Sequence, residues 1–166
     1  MSWDYHIHSN YSDSDQTLDQ ILNQACQQKL EAIALTDHDC VEGALQAAKL
    51  SQDLEVVLGI EISAQDEQGK PIHILGYDFD PEAVHLRKLC QKTLIQQQER
   101  SLWQIDQLQR AGYSITVDEV NQRLGHGGWI YKQHIMDVLT EKGIAESLNG
   151  DFYRKIFKNG GICERA

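Results

Sequence analysis

His6 and His8, two residues apart in the run Trp3-Asp4-Tyr5-His6-Ile7-His8, are the first residues of this chain whose spacing suggests chemistry. An extended segment sends alternate side chains to one side, so both imidazoles leave the same face with α-carbons roughly 6 to 7 Å apart, a span one metal ion can bridge. Taken alone the pair suits an exposed strand edge equally well. A second group, Thr36-Asp37-His38-Asp39, directly follows the apolar run Ala32-Ile33-Ala34-Leu35. Three ionisable residues beside a buried strand are costly unless paired. The aspartates could cap the next helix, a use that His38 does not have. Glu61 interrupts the apolar run Val56 to Ile62, where a buried carboxylate calls for a cation. His73 lies between Ile72 and Ile74, where a core histidine satisfied by backbone is the alternative. Asp13, in Tyr11-Ser12-Asp13-Ser14-Asp15, reads in isolation as part of a turn. Together His6, His8, Asp13, His38, Glu61 and His73 map to the ends of successive predicted strands. Imidazoles mixed with carboxylates suit zinc, manganese or iron rather than calcium or a thiolate cluster.

The elements that must position these residues alternate between strand and helix. Trp3 to Ile7 reads as extended, and Thr17 precedes the stripe Leu18, Ile21, Leu22, Ala25, a capped amphipathic helix. Ala32 to Leu35 reads as a buried strand, Val41 to Ser51 as a helix, and Glu55 to Ile62 and Ile72 to Tyr77 as strands joined in a hairpin. This order predicts a parallel sheet or barrel with functional groups at the carboxyl ends of its strands. From Asp80-Pro81 the pattern becomes helical: one long helix N-capped by Asp80 and running to Ala111, a short one after the Thr116–Glu119 capping box, a third over Trp129–Lys142 and a fourth over Leu148–Lys158. The boundary is placed near residues 80 to 95.

At 166 residues and 41% apolar content the chain can bury a core. No run approaches the roughly 18 to 20 apolar residues of a membrane span, and the first residues lack the basic and apolar regions of a signal peptide, so a cytoplasmic location is expected. A net charge of −10 argues against an extended nucleic-acid surface. It does not exclude a phosphate substrate, because bound cations reverse the local field. Cys26, Cys40, Cys90 and Cys163 are scattered without a C-x-x-C pair and read as reduced thiols, Cys26 and Cys90 as helix-core packing.

The run Tyr5-His6-Ile7-His8-Ser9 with Ser12-Asp13, then Leu35-Thr36-Asp37-His38-Asp39, Gly59-Ile60-Glu61 and His73-Ile74-Leu75-Gly76-Tyr77 resembles the ordered motifs of the PHP (polymerase and histidinol phosphatase) family. More narrowly it resembles the branch that removes the 5′-phosphate from nucleoside 3′,5′-bisphosphates and short oligonucleotides. From residue 91 onward, Gln133-His134-Ile135 and Leu139 to Gly143 resemble that branch's helical insertion. The resemblance implies an α/β fold, a partial distorted barrel over residues 1–90 with a helical cap over 91–166 and the C-terminal barrel strands absent. It implies a hydrolase with two or three divalent ions (Mn, Fe or Zn): His6 and His8 on the first, Asp13 and His38 on the second, His73 on the third, and Glu61 bridging first and third. Metal-activated hydroxide would attack a small phosphorylated substrate, with Asp37 and Asp39 orienting ligand imidazoles. His134, Lys132 and Arg123 are candidate substrate contacts, whereas His85 and His126 are expected at the surface. The family's later His-Pro and Asp-x-His motifs have no match after the helical region. The second expectation is therefore a truncated, inactive metal-binding or assembly fragment, and an open half barrel is expected to favour homo-oligomers.

Overall fold

The computed structural model describes residues 2–164, which form two compact units: one of residues up to 94 together with 125–127, the other of 95–124 and 128 onward. In the first unit β1 (Trp3–Ile7), β2 (Ala32–Leu35), β3 (Glu55–Gln65) and β4 (Pro71–Tyr77) form one sheet in sequence order. Helices α1 (Leu18–Gln27) and α2 (Glu42–Leu50) serve as crossovers, so β1, β2 and β3 run parallel. β4 returns antiparallel through a turn closed by Asp66, whose carboxylate accepts the Gln68 and Lys70 amides at 2.9 and 2.8 Å. The sheet curls: Tyr77 on one edge strand donates its hydroxyl to Tyr5 O on the other at 2.7 Å. The fold is that of an α/β half barrel carrying helices.

Local sequence explains these elements. Thr17 caps α1 and Gln20 returns the bond to the Thr17 amide at 2.8 Å, the reciprocal arrangement that ends a helix cleanly. Leu18, Ile21 and Ala25 on α1 and Ala44 and Ala47 on α2 bury against Ile33 and Leu35 of β2. Each such fully buried Leu or Ile contributes about 1.5–3 kcal/mol. Val41, Ile60 and Cys90 form a smaller cluster with Phe79 and Leu86 packed on it.

The second unit contains the later part of α3 (Val84–Arg110), with α4 (Val117–Asn121), α5 (Lys132–Glu141) and α6 (Asp151–Phe157). Ile105, Leu108, Ile130, Ile135, Leu139 and Phe157 are among its core residues. Ser101 donates to Ile130 O at 2.7 Å, Gln98 accepts the Ile130 amide at 2.9 Å, and Gln104 donates to Cys163 O at 3.1 Å. The Thr116 and Glu119 capping box opens α4. No helix among the described residues is long and apolar enough to cross a membrane.

Several expectations need correction. α3 begins at Val84, because the Asp80 carboxylate accepts the Glu82 amide at 2.9 Å and closes a turn instead of capping the helix. α5 and α6 are shorter than their apolar patterns suggested. Cys26 is exposed on the outer side of α1, one position beyond the buried Ala25, whereas Cys90 is buried as expected. All four cysteines are free.

Candidate metal centre

Backbone register brings the ionisable residues together. His6 lies within β1 and His8 one residue past its end, so they share a face and their ring centroids are 5.2 Å apart. After β2 the chain continues beside β3: the Glu61 amide donates to Asp37 O at 3.2 Å and the Asp39 amide to Glu61 O at 2.9 Å. This pairing sets His38 against Glu61 as an isolated bridge. Asp39 closes the turn with a φ of 51°, a left-handed conformation that aspartate tolerates better than most residues. On β4, His73 stands opposite Ser63, which places it diagonal to Glu61 on the same face.

Glu61 is the hub. Its Oε2 lies 2.8 Å from both His6 Nε2 and His8 Nε2, and its Oε1 meets His73 Nδ1. Asp13 approaches His8 Nδ1 at 2.7 Å and His38 Nε2 at 3.6 Å. The His38 ring stands edge-on to those of His8 and His73, with centroids 4.6 and 4.8 Å away. Three overlapping sets result: His6, His8 and Glu61; His8, Asp13 and His38; His38, Glu61 and His73, each with donor atoms within 4.8 Å of one another. Four imidazoles around two carboxylates form a nitrogen and oxygen donor set that fits a divalent transition ion.

The electrostatics differ from donor to donor. Burial pulls the His38 imidazole below its ordinary value; the Asp13 and Glu61 charges oppose this, and His8 and His73 add to it. For His8 burial pulls the same way, but the Asp13 bond and the charges of Asp13, Glu61 and Asp37 outweigh it and hold the ring above its ordinary value. Burial pushes the Asp13 carboxyl up, yet the His8 bond and the His38 and His8 charges bring it below. Glu61 ends below its ordinary value for the same reason, through His6, His38 and His73.

Asp37 and Asp39 hold other partners than those expected. Asp37 is buried and accepts from the Ser9 amide at 2.7 Å, Ser9 Oγ at 2.7 Å and Ser12 Oγ at 2.6 Å. Asp39 accepts the Ser63 amide at 3.0 Å. Both therefore brace backbone and hydroxyls rather than imidazoles, since a carboxylate beside a tight loop satisfies donors that would otherwise be buried unpaired. Burial raises both carboxyls despite these bonds. Sequence reasoning missed the role of Ser9 and Ser12; their signal was a buried acid with no evident donor and two hydroxyls three residues apart in the facing loop.

Arg123, Lys132 and His134 belong to the second unit. Arg123 is paired with Glu141. His134 is buried in α5, and its Nδ1 accepts the Tyr131 amide at 3.1 Å at the helix start. Lys132 is half-buried. His85 and His126 are exposed, as expected.

A family model of the PHP domain matches residues 4–160, and the chain belongs to that family. It is 41% identical over 165 residues to a phosphoribosyl 1,2-cyclic phosphate 1,2-diphosphodiesterase of Eggerthella lenta, covering 98% of this chain and 63% of that protein. It is 25% identical over 151 residues to a 3′,5′-nucleoside bisphosphate phosphatase of Chromobacterium violaceum, covering 90% of this chain and 53% of that protein. Among solved structures, one from Bifidobacterium adolescentis, described as a candidate metal-dependent phosphoesterase, superposes with a TM-score of 0.84 at 29% identity, over 92% of this chain and 54% of that one. The chain thus spans less than two thirds of the length of these relatives.

Proposed function

We propose that this chain carries the metal centre of a hydrolase acting on a phosphate ester of a ribose-containing substrate. The observation that carries the reading is the convergence of His6, His8, Asp13, His38, Glu61 and His73 into three donor sets that share His8, His38 and Glu61. His6, His8 and Glu61 would hold one ion, His8, Asp13 and His38 a second, and His38, Glu61 and His73 a third. Bound divalent ions of the Mn, Fe or Zn type would polarise a phosphoryl oxygen and make water a nucleophile at neutral pH. The chain's own part is to present imidazoles and carboxylates in fixed positions, and at His8 a bound cation would have to displace the proton that Asp13 and Glu61 favour. Asp37 holds the Ser9 to Asp13 loop and Asp39 the β3 backbone, so the donors stay in place without rearrangement. Lys132, Arg123 and His134 of the helical second unit are the candidate contacts to substrate phosphate in this reading.

The resemblance of its ordered motifs to one branch of the family favours the 5′-phosphate of a nucleoside 3′,5′-bisphosphate or short oligonucleotide. A cyclic phosphate of phosphoribose is the second substrate reading, favoured by the 41% identity to the Eggerthella lenta diphosphodiesterase. The reading includes a cytoplasmic location and self-association through the sheet edges, where Trp3 on β1 and Ile72 and Ile74 on β4 are exposed. The test is metal content per chain after purification without chelator, followed by phosphate release from the three substrates, with His8→Ala and Glu61→Ala as controls. Metal lost in both variants and turnover of one substrate support the reading. Metal without turnover of any of them would mark an inactive metal-binding fragment, and no metal above the controls would refute the centre.

A further inference from the structure

Residues Gly125–Gly127 come far later in the chain than the strands of the first unit, yet they belong to it, lying against Asn10 and Tyr11 in the loop between β1 and α1. The Gly127 amide donates to Asn10 O at 3.3 Å, and the His126 ring stacks on Tyr11 with centroids 5.3 Å apart and planes inclined by 23°. Neither glycine is required for its dihedral angles, since the positive φ in this segment falls on Gly128. They are required by proximity. A Cβ at Gly125 would stand 2.1 Å from Asn10 O, and one at Gly127 would stand 2.0 Å from Tyr11 O. Both obstacles are backbone oxygens, so no side-chain rotation relieves them; loop or strap would have to move.

The loop held in this way is the one that carries Asp13. The Tyr11 amide donates to Ser9 Oγ at 3.2 Å and the Ser12 amide to Ser9 O at 3.0 Å, a tight corner that transmits displacement instead of absorbing it. Two residues past Tyr11, Asp13 meets His8 and His38. Asp37 braces the corner through Ser9 and Ser12, and the glycine segment presses on it at Asn10 and Tyr11. We propose that Gly125 and Gly127 are positioning residues, a glycine-dependent strap that sets Asp13 between His8 and His38 and thereby fixes how that trio holds a divalent cation. The inference rests on reading the trio as part of a metal centre, but the mechanical step does not.

The two steps are tested separately. Hydrogen exchange on the metal-free full chain reads the strap: Gly127→Ala should speed exchange of the amides of residues 11–14 by about tenfold or more, while β2 and β3 keep their protection. His126→Ala, which leaves both backbone contacts, should not. Manganese titration followed by electron paramagnetic resonance reads the consequence, with affinity in Gly127→Ala expected to fall about 10- to 100-fold. Unchanged exchange at residues 11–14, or equal loss of protection throughout β2 and β3, overturns the proposal. If Gly127→Ala does not accumulate, the unaltered chain decides: Gly127 and Ser12 should open together with the same denaturant dependence, and independent opening overturns the strap. If the unaltered chain takes up no manganese, the reading of the centre fails, while the exchange measurement still decides the strap.

Discussion

Removing the Asp37 carboxylate should loosen the ligand loop and lower stability by an amount that can be worked from its contacts. Asp37→Ala deprives the Ser9 amide, Ser9 Oγ and Ser12 Oγ of an acceptor, now held at 2.6–2.7 Å in a buried setting. A buried donor left unsatisfied costs about 1–3 kcal/mol, and the fixed amide is the one least able to find another partner. The hydroxyls rotate and recover part of their loss. The expected cost of Asp37→Ala is therefore about 3–5 kcal/mol, in the range of broken buried networks. Asp37→Asn keeps the volume and one acceptor oxygen, and a serine hydroxyl can turn to accept from the new amide. Because burial already pushes the Asp37 carboxyl up, losing the charge removes a penalty along with a benefit. Asparagine should then cost only about 1–2 kcal/mol. Urea unfolding of metal-free protein, followed by circular dichroism, measures both, with exchange of the β2 amides assigning the change to the first unit. A loss below about 1 kcal/mol in Asp37→Ala, or equal damage from the two substitutions, would refute the view that these three bonds hold the loop.

Chelation should lower the melting temperature of metal-loaded protein but leave His8→Ala and Glu61→Ala unmoved; at an ion concentration 100 times Kd the lost stabilisation is about 2.7 kcal/mol. Native alkylation at pH 8, read by mass spectrometry, should label Cys26 alone, because burial pushes the Cys40 and Cys163 thiols up to about 12 and that of Cys90 to about 11. Comparable labelling of Cys40 would contradict its burial. Burial lowers the Lys132 pKa, with the charges of Lys158 and Arg100 adding to it. The unfolded chain consequently binds more protons between the folded value and the ordinary one, and stability contributed by this site rises with pH through that window. Lys132→Met should stabilise the protein at pH 7, with the gain shrinking as the alkaline window is crossed; a gain that grows with pH would reverse the sign of the argument.

The element order was legible because each element is specified by its own residues. The Thr17 and Thr116 caps, the Leu18, Ile21, Ala25 stripe and the buried run Ala32 to Leu35 all appear where their local patterns place them. The Asp80 N-cap did not, because an aspartate can satisfy an amide two residues on as readily as open a helix, and local pattern does not separate the two uses. The PHP motifs were legible for a related reason: each is a short string of consecutive residues, although the structure puts Glu61 in the middle of β3 and His73 in the first half of β4 instead of at the strand ends expected. Cys26 shows the limit in the other direction, since one position along a helix turns a side chain by about 100° and separates the buried face from the open one.

By itself the sequence determined that four strands and two crossover helices would form, and it marked six imidazole and carboxylate residues as candidates for one site, though not where along β3 and β4 Glu61 and His73 would stand. Which donors share a set was decided by tertiary structure, because Glu61 meets His6, His8 and His73 only once β3 is in register with its neighbours. The roles of Asp37 and of Gly125–Gly127 were decided there too. Their partners lie 25 to 28 residues away for Asp37 and more than a hundred for the glycines. Periodicity and capping act over a few residues, whereas the satisfaction of a buried acid and the closest approach of two backbones depend on segments that meet only after the chain has folded.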